Sequence, residues 1–175
     1  MLNKFKNYFR DIFINSIAAS NITPQFLRKY MYTLYGIKTQ SRAIRPNCYF
    51  GNNKVIIGKN TTINGSCYFE NLALIKIGDN CDIAMEVLFC TSTHEMGSSE
   101  KRAGIAYGKK ITIEDGCWIG ARVTILPGVK IGKGCIVAAN AVVTSDCDEN
   151  YLYAGIPAKK LKKLPVIKSK ENSFL

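Results

Sequence analysis

The chain has 175 residues, of which 47% are hydrophobic and 21% are charged, and its formal net charge is +11. This composition is typical of one globular domain and excludes an intrinsically disordered chain. No apolar run in the sequence reaches the roughly 18–20 residues that a membrane-spanning helix needs.

The positive charge is concentrated at the two ends of the chain. Residues 1–45 carry eight basic residues and one acidic residue, and residues 151–175 carry six and one, whereas the middle is nearly neutral. We therefore expect an anionic partner at each end. Since no nucleic-acid-reading motif accompanies the charge, we expect no nucleic-acid partner.

Two amphipathic helices are predicted before residue 44. Residues 2–17 place one apolar stripe on a helix: Leu2, Phe5, Phe9, Ile12, Phe13 and Ile17. A second helix is predicted to begin with Thr23 as its cap and Pro24 in its first turn, and to end at Gly36. Its apolar residues are Phe26, Leu27, Tyr30, Met31 and Leu34. Two interpretations stay open: a helical cap on the domain, or contact of residues 1–17 with an anionic membrane surface.

A six-residue repeat organises residues 113–148, which read IEDGCW, IGARVT, ILPGVK, IGKGCI, VAANAV and VTSDCD. Every hexad begins with Ile or Val and carries a small residue at position five. This spacing does not fit a helix, and it predicts stacked coils of short strands with positions one and five pointing inward. The repeat begins less regularly near Ile44 and loses its phase at Phe89.

Position five also explains the cysteines. Six of the seven fill this slot, and only Cys90 is out of phase: Cys48, Cys67, Cys81, Cys117, Cys135 and Cys147. We interpret them as small buried residues with reduced thiols, because their spacing is not that of a metal site. Reduced thiols indicate a cytoplasmic protein.

Residues 91–110 interrupt the repeat and are predicted to form a polar loop outside the coil. A long insertion of this kind in a compact domain is usually functional. The loop contains His94, the only histidine in the protein. After Asp148 the repeat fades, and the basic residues 159–175 are expected to begin as a short helix or an edge strand and to fray towards the end.

The hexads, the loop with its histidine, the run CWIGARVTILPGVKIG and the ending AGIPAKKLKKL resemble the hexapeptide-repeat acetyltransferases. The resemblance covers roughly residues 44–165 and is greatest to the galactoside/maltose and polysaccharide O-acetyltransferase branch. It implies a mainly β fold, a left-handed parallel β-helix over residues 44–158. An N-terminal α-helical segment, 1–43, precedes the β-helix, the active-site loop 91–110 leaves it, and a basic tail, 159–175, follows it. It also implies a homotrimer in which acetyl-CoA and a saccharide acceptor meet between subunits.

By this resemblance His94 is the general base that removes the proton of the acceptor hydroxyl, a task suited to the ordinary pKa of histidine. Asn64 is implied to contact the acceptor, and Glu95 either to contact the acceptor or to orient His94. No Cys or Ser has a neighbouring His in the sequence, so we expect direct transfer rather than an acyl-enzyme.

The same resemblance assigns six residues to acetyl-CoA. Trp118 lies beside the pantetheine, and a backbone amide near Ala121 stabilises the oxyanion. The small residues Ala138 and Ala139 allow close approach, while Lys159 and Lys162 supply cations for the phosphate. No metal is expected to be required.

The predicted function is therefore acetyl-CoA-dependent O-acetylation of a saccharide hydroxyl, in a surface-polysaccharide precursor at the inner face of the membrane. In the maltose/galactoside branch that the chain resembles, an acidic helical leader supplies an Asp that binds the acceptor. The leader of this chain, residues 1–43, does not match it, because Asp11 is the only acidic residue before Glu70, and this departure argues against a small free sugar. Three alternatives stay open: N-acetylation of an amino-sugar nucleotide, O-acetylation of a streptogramin-type antibiotic, and a non-enzymatic hexapeptide scaffold.

Overall fold

The six-residue repeat folds, as predicted, into a coil of short parallel strands. The computed structural model describes residues 7–167, and its strands form three sheets along the coil. Sheet I contains β1 (Lys38–Thr39), β4 (Val55–Ile57), β7 (Ile75–Ile77), β12 (Ile111–Ile113) and β15 (Lys130–Ile131). Sheet II contains β2 (Ala43–Ile44), β5 (Thr62–Ile63), β8 (Asp82–Ile83), β13 (Trp118–Ile119), β16 (Ile136–Val137), β18 (Tyr151–Ala154) and β19 (Lys159–Lys163). Sheet III contains β3 (Tyr49–Phe50), β6 (Tyr68–Glu70), β9 (Leu88–Cys90), β14 (Thr124–Ile125) and β17 (Val142–Val143).

The core consists of the side chains at positions one and five, as the repeat predicts. Phe50, Phe69 and Phe89 stack in sheet III with ring centroids 4.6 Å apart. The six in-phase cysteines are buried, and all seven cysteines are free. Several of their thiols bond to the next coil, as where Cys81 Sγ lies 3.2 Å from the Glu114 carbonyl oxygen. The small thiols thus fill the core and also link neighbouring coils.

Position four forms the corners of the coil. Its residues adopt the left-handed backbone conformation, with φ of 55° at Asn80 and 59° at Asn140. Asn and Gly reach this region at the smallest cost, which explains why they recur at position four.

Two helices cover the open first coil: a π-helical segment, Arg10–Ala18, and an α-helix, α1, Gln25–Tyr35, which ends at Gly36 with φ of 102°. Asn15 pairs with the exposed edge of sheet III, since its side chain accepts from the Phe50 N–H at 2.9 Å and donates to the Phe50 carbonyl at 3.2 Å. Arg28 is 3% exposed and donates to four backbone carbonyls, including that of Ile44. The predicted helical cap is therefore confirmed.

The apolar stripes of these helices do not face the coil. Ile14 and Ala18 are the buried residues of the first segment, and Arg28 and Tyr32 those of α1. Most of the predicted stripe residues are exposed: Phe9, Ile12, Phe13, Ile17, Phe26, Leu27, Tyr30 and Leu34. The first coil presents unpaired carbonyls, so polar groups of the cap must face it. Leu2 and Phe5 lie outside the described residues.

Three local predictions are also corrected, and the edge-strand alternative for the basic tail is confirmed. Pro24 is the N-cap of α1, because the Thr23 hydroxyl donates to the Ile17 carbonyl instead. The first strand of the coil, β1, precedes the predicted start at Ile44. The interval 91–110 is an antiparallel hairpin of β10 (Ser92–Met96) and β11 (Ala103–Gly108). The basic tail begins as the edge strand β19, antiparallel to β18, and residues 168–175 lie outside the described part. Within residues 7–167, neither helix has the length and apolar character to cross a membrane.

Candidate active site

His94 lies on the hairpin that leaves the coil between sheets III and I. In this hairpin His94 pairs with Ala106, and the register shifts between His94 and Met96. The side chains of His94 and Glu95 are both exposed. Neighbouring residues of a strand point to opposite faces, and among the described residues no hydrogen bond joins the two side chains. The imidazole is thus free to meet a substrate.

The base of this hairpin is fixed by Glu70 and Thr91. One carboxylate oxygen of Glu70 accepts from the backbone N–H groups of Thr91 at 3.1 Å and Ser92 at 3.0 Å. The buried Thr91 hydroxyl donates to the Glu70 carbonyl and accepts from the Ala73 N–H. The Thr91 carbonyl accepts from the Lys109 N–H at 2.8 Å, and this bond joins the two ends of the hairpin. These bonds determine where the His94 strand begins.

The corner between sheets II and III stacks small residues in one column. Asn64, Ala84, Gly120 and Ala138 each donate their backbone N–H to the coil above, at 2.8 to 2.9 Å. At Gly120 an added Cβ would lie 2.5 Å from the Ala139 nitrogen, so only glycine fits there. The half-buried side chain of Asn64 belongs to the same corner.

Several backbone amides at this corner are available to a ligand, among them those of Ala121 and Ala139. The carbonyl of Ala121 accepts from the Asn140 N–H at 2.9 Å, but the N–H groups of Ala121 and Ala139 have no acceptor among the described residues. Ala121 is half-buried and Ala139 is exposed. Their methyl side chains leave room for a ligand to reach these donors.

Sheet II brings three of the predicted cofactor residues onto one face. Trp118 pairs with Ile136, Ile136 with Leu152, and Leu152 with Lys162. Three strand spacings put Trp118 about 14 Å from Lys162. Trp118 is 57% exposed, as its outward position in the hexad predicts. Lys159 pairs with Ala154 on the same edge strand.

The lysines of β19 differ in their surroundings. Lys160 Nζ lies 2.6 Å from an Asp148 carboxylate oxygen and 3.8 Å from the centroid of the Tyr151 ring. Hydrogen bonding to Asp148 raises the pKa of Lys160. Lys159 and Lys162 are exposed and form no ion pair with another described residue, so their charge is available to an anionic ligand.

The predicted residues form two groups in one chain. Asn64, Ala121, Ala138 and Ala139 share the corner between sheets II and III, and Trp118, Lys159 and Lys162 lie on sheet II beside it. His94 and Glu95 lie on the hairpin that leaves the coil at the other edge of sheet III. The width of one side of the coil, on the order of 15–20 Å, separates that edge from the corner. Strands β10 and β11 pack chiefly on each other. A single chain therefore does not bring His94 to the cofactor corner.

Comparison with known proteins identifies the repeat. The family model "Bacterial transferase hexapeptide (six repeats)" matches residues 110–145, and "Hexapeptide repeat of succinyl-transferase" matches 54–87. A putative acetyltransferase of Saccharomyces cerevisiae is 36% identical over 151 residues, which are 85% of this chain and 74% of the yeast protein. The chain belongs to the hexapeptide-repeat acetyltransferase family.

Other members of this family support the assignment. The galactoside O-acetyltransferase of Escherichia coli is 30% identical over 79% of this chain and 67% of its own. A hexapeptide-repeat acetyltransferase of Vibrio cholerae, solved with acetyl coenzyme A, is 29% identical with a TM-score of 0.81 over 93% of this chain and 88% of its own. The predicted parallel β-helix fold is confirmed. The match spans only 53% of a Schizosaccharomyces pombe relative that is 42% identical over 63% of this chain.

Within residues 7–167, no group of three or more His, Cys, Asp or Glu side chains could hold a metal ion.

Sequence reasoning missed Glu70, Thr91 and Gly120. The spacing of the phenylalanines carried a usable signal, because Phe69 and Phe89 open hexads in adjacent coils and pair in sheet III. That register places Glu70 beside Cys90, next to the point where the chain leaves the coil. Counting coils would have placed an acidic side chain at the hairpin base.

Proposed function

We propose that this chain is an acetyl-CoA-dependent O-acetyltransferase that transfers an acetyl group to a hydroxyl of a saccharide. The observation that carries the proposal is the corner between sheets II and III. The free amides of Ala121 and Ala139 lie there, and the exposed Trp118, Lys159 and Lys162 lie beside it on sheet II. The names of the relatives agree with it: one acts on galactosides, and one was solved with acetyl coenzyme A.

In the proposed reaction His94 removes the proton of the acceptor hydroxyl as its oxygen attacks the thioester carbonyl. Its imidazole is exposed on a strand whose start is fixed by Glu70. The tetrahedral intermediate carries a negative oxygen, which the free N–H of Ala121 stabilises. Collapse breaks the C–S bond, and the imidazolium returns the proton to the departing thiolate of coenzyme A.

Acetyl-CoA is proposed to lie along the corner and across sheet II. The free Ala139 N–H can bond an amide carbonyl of the pantetheine, and the small residues let the chain lie close to the backbone. Trp118 packs against the pantetheine arm. Lys159 and Lys162 meet the phosphates as point charges rather than as bidentate forks.

The site is proposed to be completed by a second copy of the chain, within a homotrimer. The separation of His94 from the corner supports this arrangement, since one chain supplies the base and its neighbour the cofactor wall. Closed rings of identical subunits repeat the same contact at every interface. Asn64 and Glu95 would then contact the acceptor from the two sides of the cleft.

The acceptor is proposed to be a saccharide unit of a surface-polysaccharide precursor, modified at the inner face of the membrane. The leader supports this choice, because among residues 7–45 the single acidic side chain, Asp11, is held by Arg10 at 2.8 Å. The leader thus offers no free carboxylate to a small neutral sugar.

Release of thiol from acetyl-CoA, measured with a panel of acceptors, tests the proposal. The panel contains free sugars, nucleotide-linked sugars, amino-sugar nucleotides and lipid-linked saccharides, so that the alternative acceptors are compared directly. With the best hydroxyl acceptor, His94→Ala is expected to lower kcat at least about 100-fold, while the exposed Glu100→Ala on the same hairpin retains it. Full activity of His94→Ala would overturn the general-base role, and acetylation of amines alone would overturn the O-acetyltransferase.

A further inference from the structure

The helical cap turns an apolar stripe away from the coil. Phe26, Tyr30 and Leu34 are 77%, 60% and 68% exposed, and their spacing of four residues puts them on one face of α1. On the other helical segment the rings of Phe9 and Phe13 stack with centroids 4.5 Å apart, and both are also exposed. An exposed contiguous apolar surface of this kind marks an interaction site.

A groove joins the two helices into one surface. It has a volume of about 190 Å³ and its lining is apolar apart from a tyrosine hydroxyl: Phe9, Phe13, Ile14, Met31, Leu34 and Tyr35. Leu34 belongs to both the groove and the α1 stripe, so the two features are continuous. We call this surface, formed by side chains between residues 8 and 35, the cap face.

The segment that carries the cap face is basic, although two of its cations are engaged within the fold: Arg28 is 3% exposed, and Arg10 pairs with Asp11. Residues 1–45 contain eight basic residues, and their only acidic residue, Asp11, is paired with Arg10. Arg42 and Arg45 are exposed and adjoin α1, since Gln25 bonds the Arg42 carbonyl and Arg28 bonds the Ile44 carbonyl. The partner must therefore accept both large apolar side chains and cations.

This combination decides between the possible occupants. Two cap faces of this charge would repel each other within the Debye length of about 10 Å, which disfavours a second copy packed face to face. A nucleic acid would meet the cations but would leave the apolar stripe without a partner. An anionic lipid bilayer satisfies both requirements, because its headgroups attract Lys and Arg while its acyl boundary accepts apolar side chains.

We infer that the cap face docks the protein on the surface of an anionic lipid bilayer. The helices lie in the plane of the interface, with Phe26 and Leu34 reaching the acyl boundary and the hydroxyl of Tyr30 staying among the headgroups. The contact extends the membrane interpretation of residues 1–17 to α1, and it is peripheral. This inference does not depend on the acetyltransferase activity.

Sedimentation of the full chain with lipid vesicles tests the inference. One set of vesicles contains phosphatidylglycerol and phosphatidylcholine in equal amounts, and the other contains phosphatidylcholine alone. The variant Phe26→Ser/Tyr30→Ser/Leu34→Ser removes exposed side chains only and keeps every charge, including those of the tail. The matched control is Val166→Ser, which removes an apolar side chain of 72% exposure beyond β19.

We expect the unmodified chain and Val166→Ser to bind the anionic vesicles and to dissociate from them at high salt. Neither protein should bind the neutral vesicles. The triple variant should bind at least tenfold more weakly while keeping its thermal unfolding temperature. Equal binding by the triple variant would overturn the cap face, as would absence of binding to phosphatidylglycerol. Light scattering tests whether a second copy of the chain occupies the cap face instead. A lower oligomer mass in the triple variant would assign the cap face to a contact between copies.

Discussion

Replacing Glu70 with alanine tests whether the hairpin base positions His94. The substitution removes one carboxylate oxygen that accepts the backbone N–H groups of Thr91 and Ser92, at 3.1 and 3.0 Å. The Thr91 N–H keeps a second acceptor, the backbone carbonyl of residue 70 at 3.0 Å, whereas the Ser92 N–H is left without one among the described residues. Hydrogen bonds to a charged group contribute about 1.5–3 kcal/mol each, and water replaces part of this at a half-buried residue. We therefore expect the hairpin to lose about 2–3 kcal/mol of local stability.

Two measurements report on this loss. Hydrogen exchange of the amides in 92–108 should accelerate roughly 30- to 150-fold in Glu70→Ala, with exchange in the coil unchanged. Turnover with the best acceptor should fall about 10- to 100-fold in kcat, because a displacement of about 1 Å can cost this much, while KM for acetyl-CoA stays constant.

Glu70→Gln provides the discriminating variant. Both N–H groups bond the same oxygen of Glu70, and the amide of glutamine also supplies one oxygen, so this variant should restore most of the exchange protection and turnover. Glu100→Ala is the matched control, because Glu100 is an exposed acid of the same hairpin and lies outside the Glu70 hydrogen bonds. Unchanged exchange in Glu70→Ala, or equal damage from Glu70→Gln, would refute the positioning role.

Three further predictions follow from the core and the cap. Arg28→Lys should lower the free energy of unfolding by about 3 kcal/mol in urea, because an ammonium cannot reach all four carbonyls, whereas the exposed Arg45→Lys should change it little. Phe69→Ala should cost about 4 kcal/mol in the same assay by opening a cavity in the aromatic stack, and a loss below 1 kcal/mol would contradict the stacked core. Mass spectrometry after alkylation should find at most one labelled thiol in the native protein, Cys90, and seven after unfolding. Burial protects the rest and raises the pKa of Cys147 to about 12, so native labelling of Cys135 or Cys147 would contradict their placement.

The coil could be predicted from the sequence because its determinants are local and repeated. An apolar residue every six positions and a small one at position five reappear in each coil, so one hexad predicts the environment of the next. The same reasoning placed Trp118 outward and the six in-phase cysteines inward, and both predictions are confirmed. The interruption of the six-residue repeat also predicted that residues 91–110 leave the coil.

The cap and the hairpin could not be derived in the same way, since their geometry depends on contacts distant in sequence. Arg28 of α1 faces inward and donates to the Ile44 carbonyl at the end of the coil and to the Ala18 carbonyl within the cap, which inverts the usual expectation that apolar side chains of a helix face inward. Glu70 holds a hairpin that begins 22 residues later, at Ser92. The separation of His94 from the corner emerges only when the three sheets are assembled.

Mixing of two inactive variants tests the central proposal, a site shared between chains, most directly. His94→Ala removes the base, and Ala139→Glu/Lys159→Glu places two negative charges on the exposed cofactor wall. The two chains are coexpressed with different tags and purified through both, and thiol release is measured with the best acceptor. If His94 acts on the wall of a neighbouring chain, each mixed trimer should regain activity at about a third of its sites, because one of its three interfaces joins an intact base to an intact wall. If both parents and the mixed assembly are equally inactive, the site lies within one chain and the proposed shared cleft is wrong.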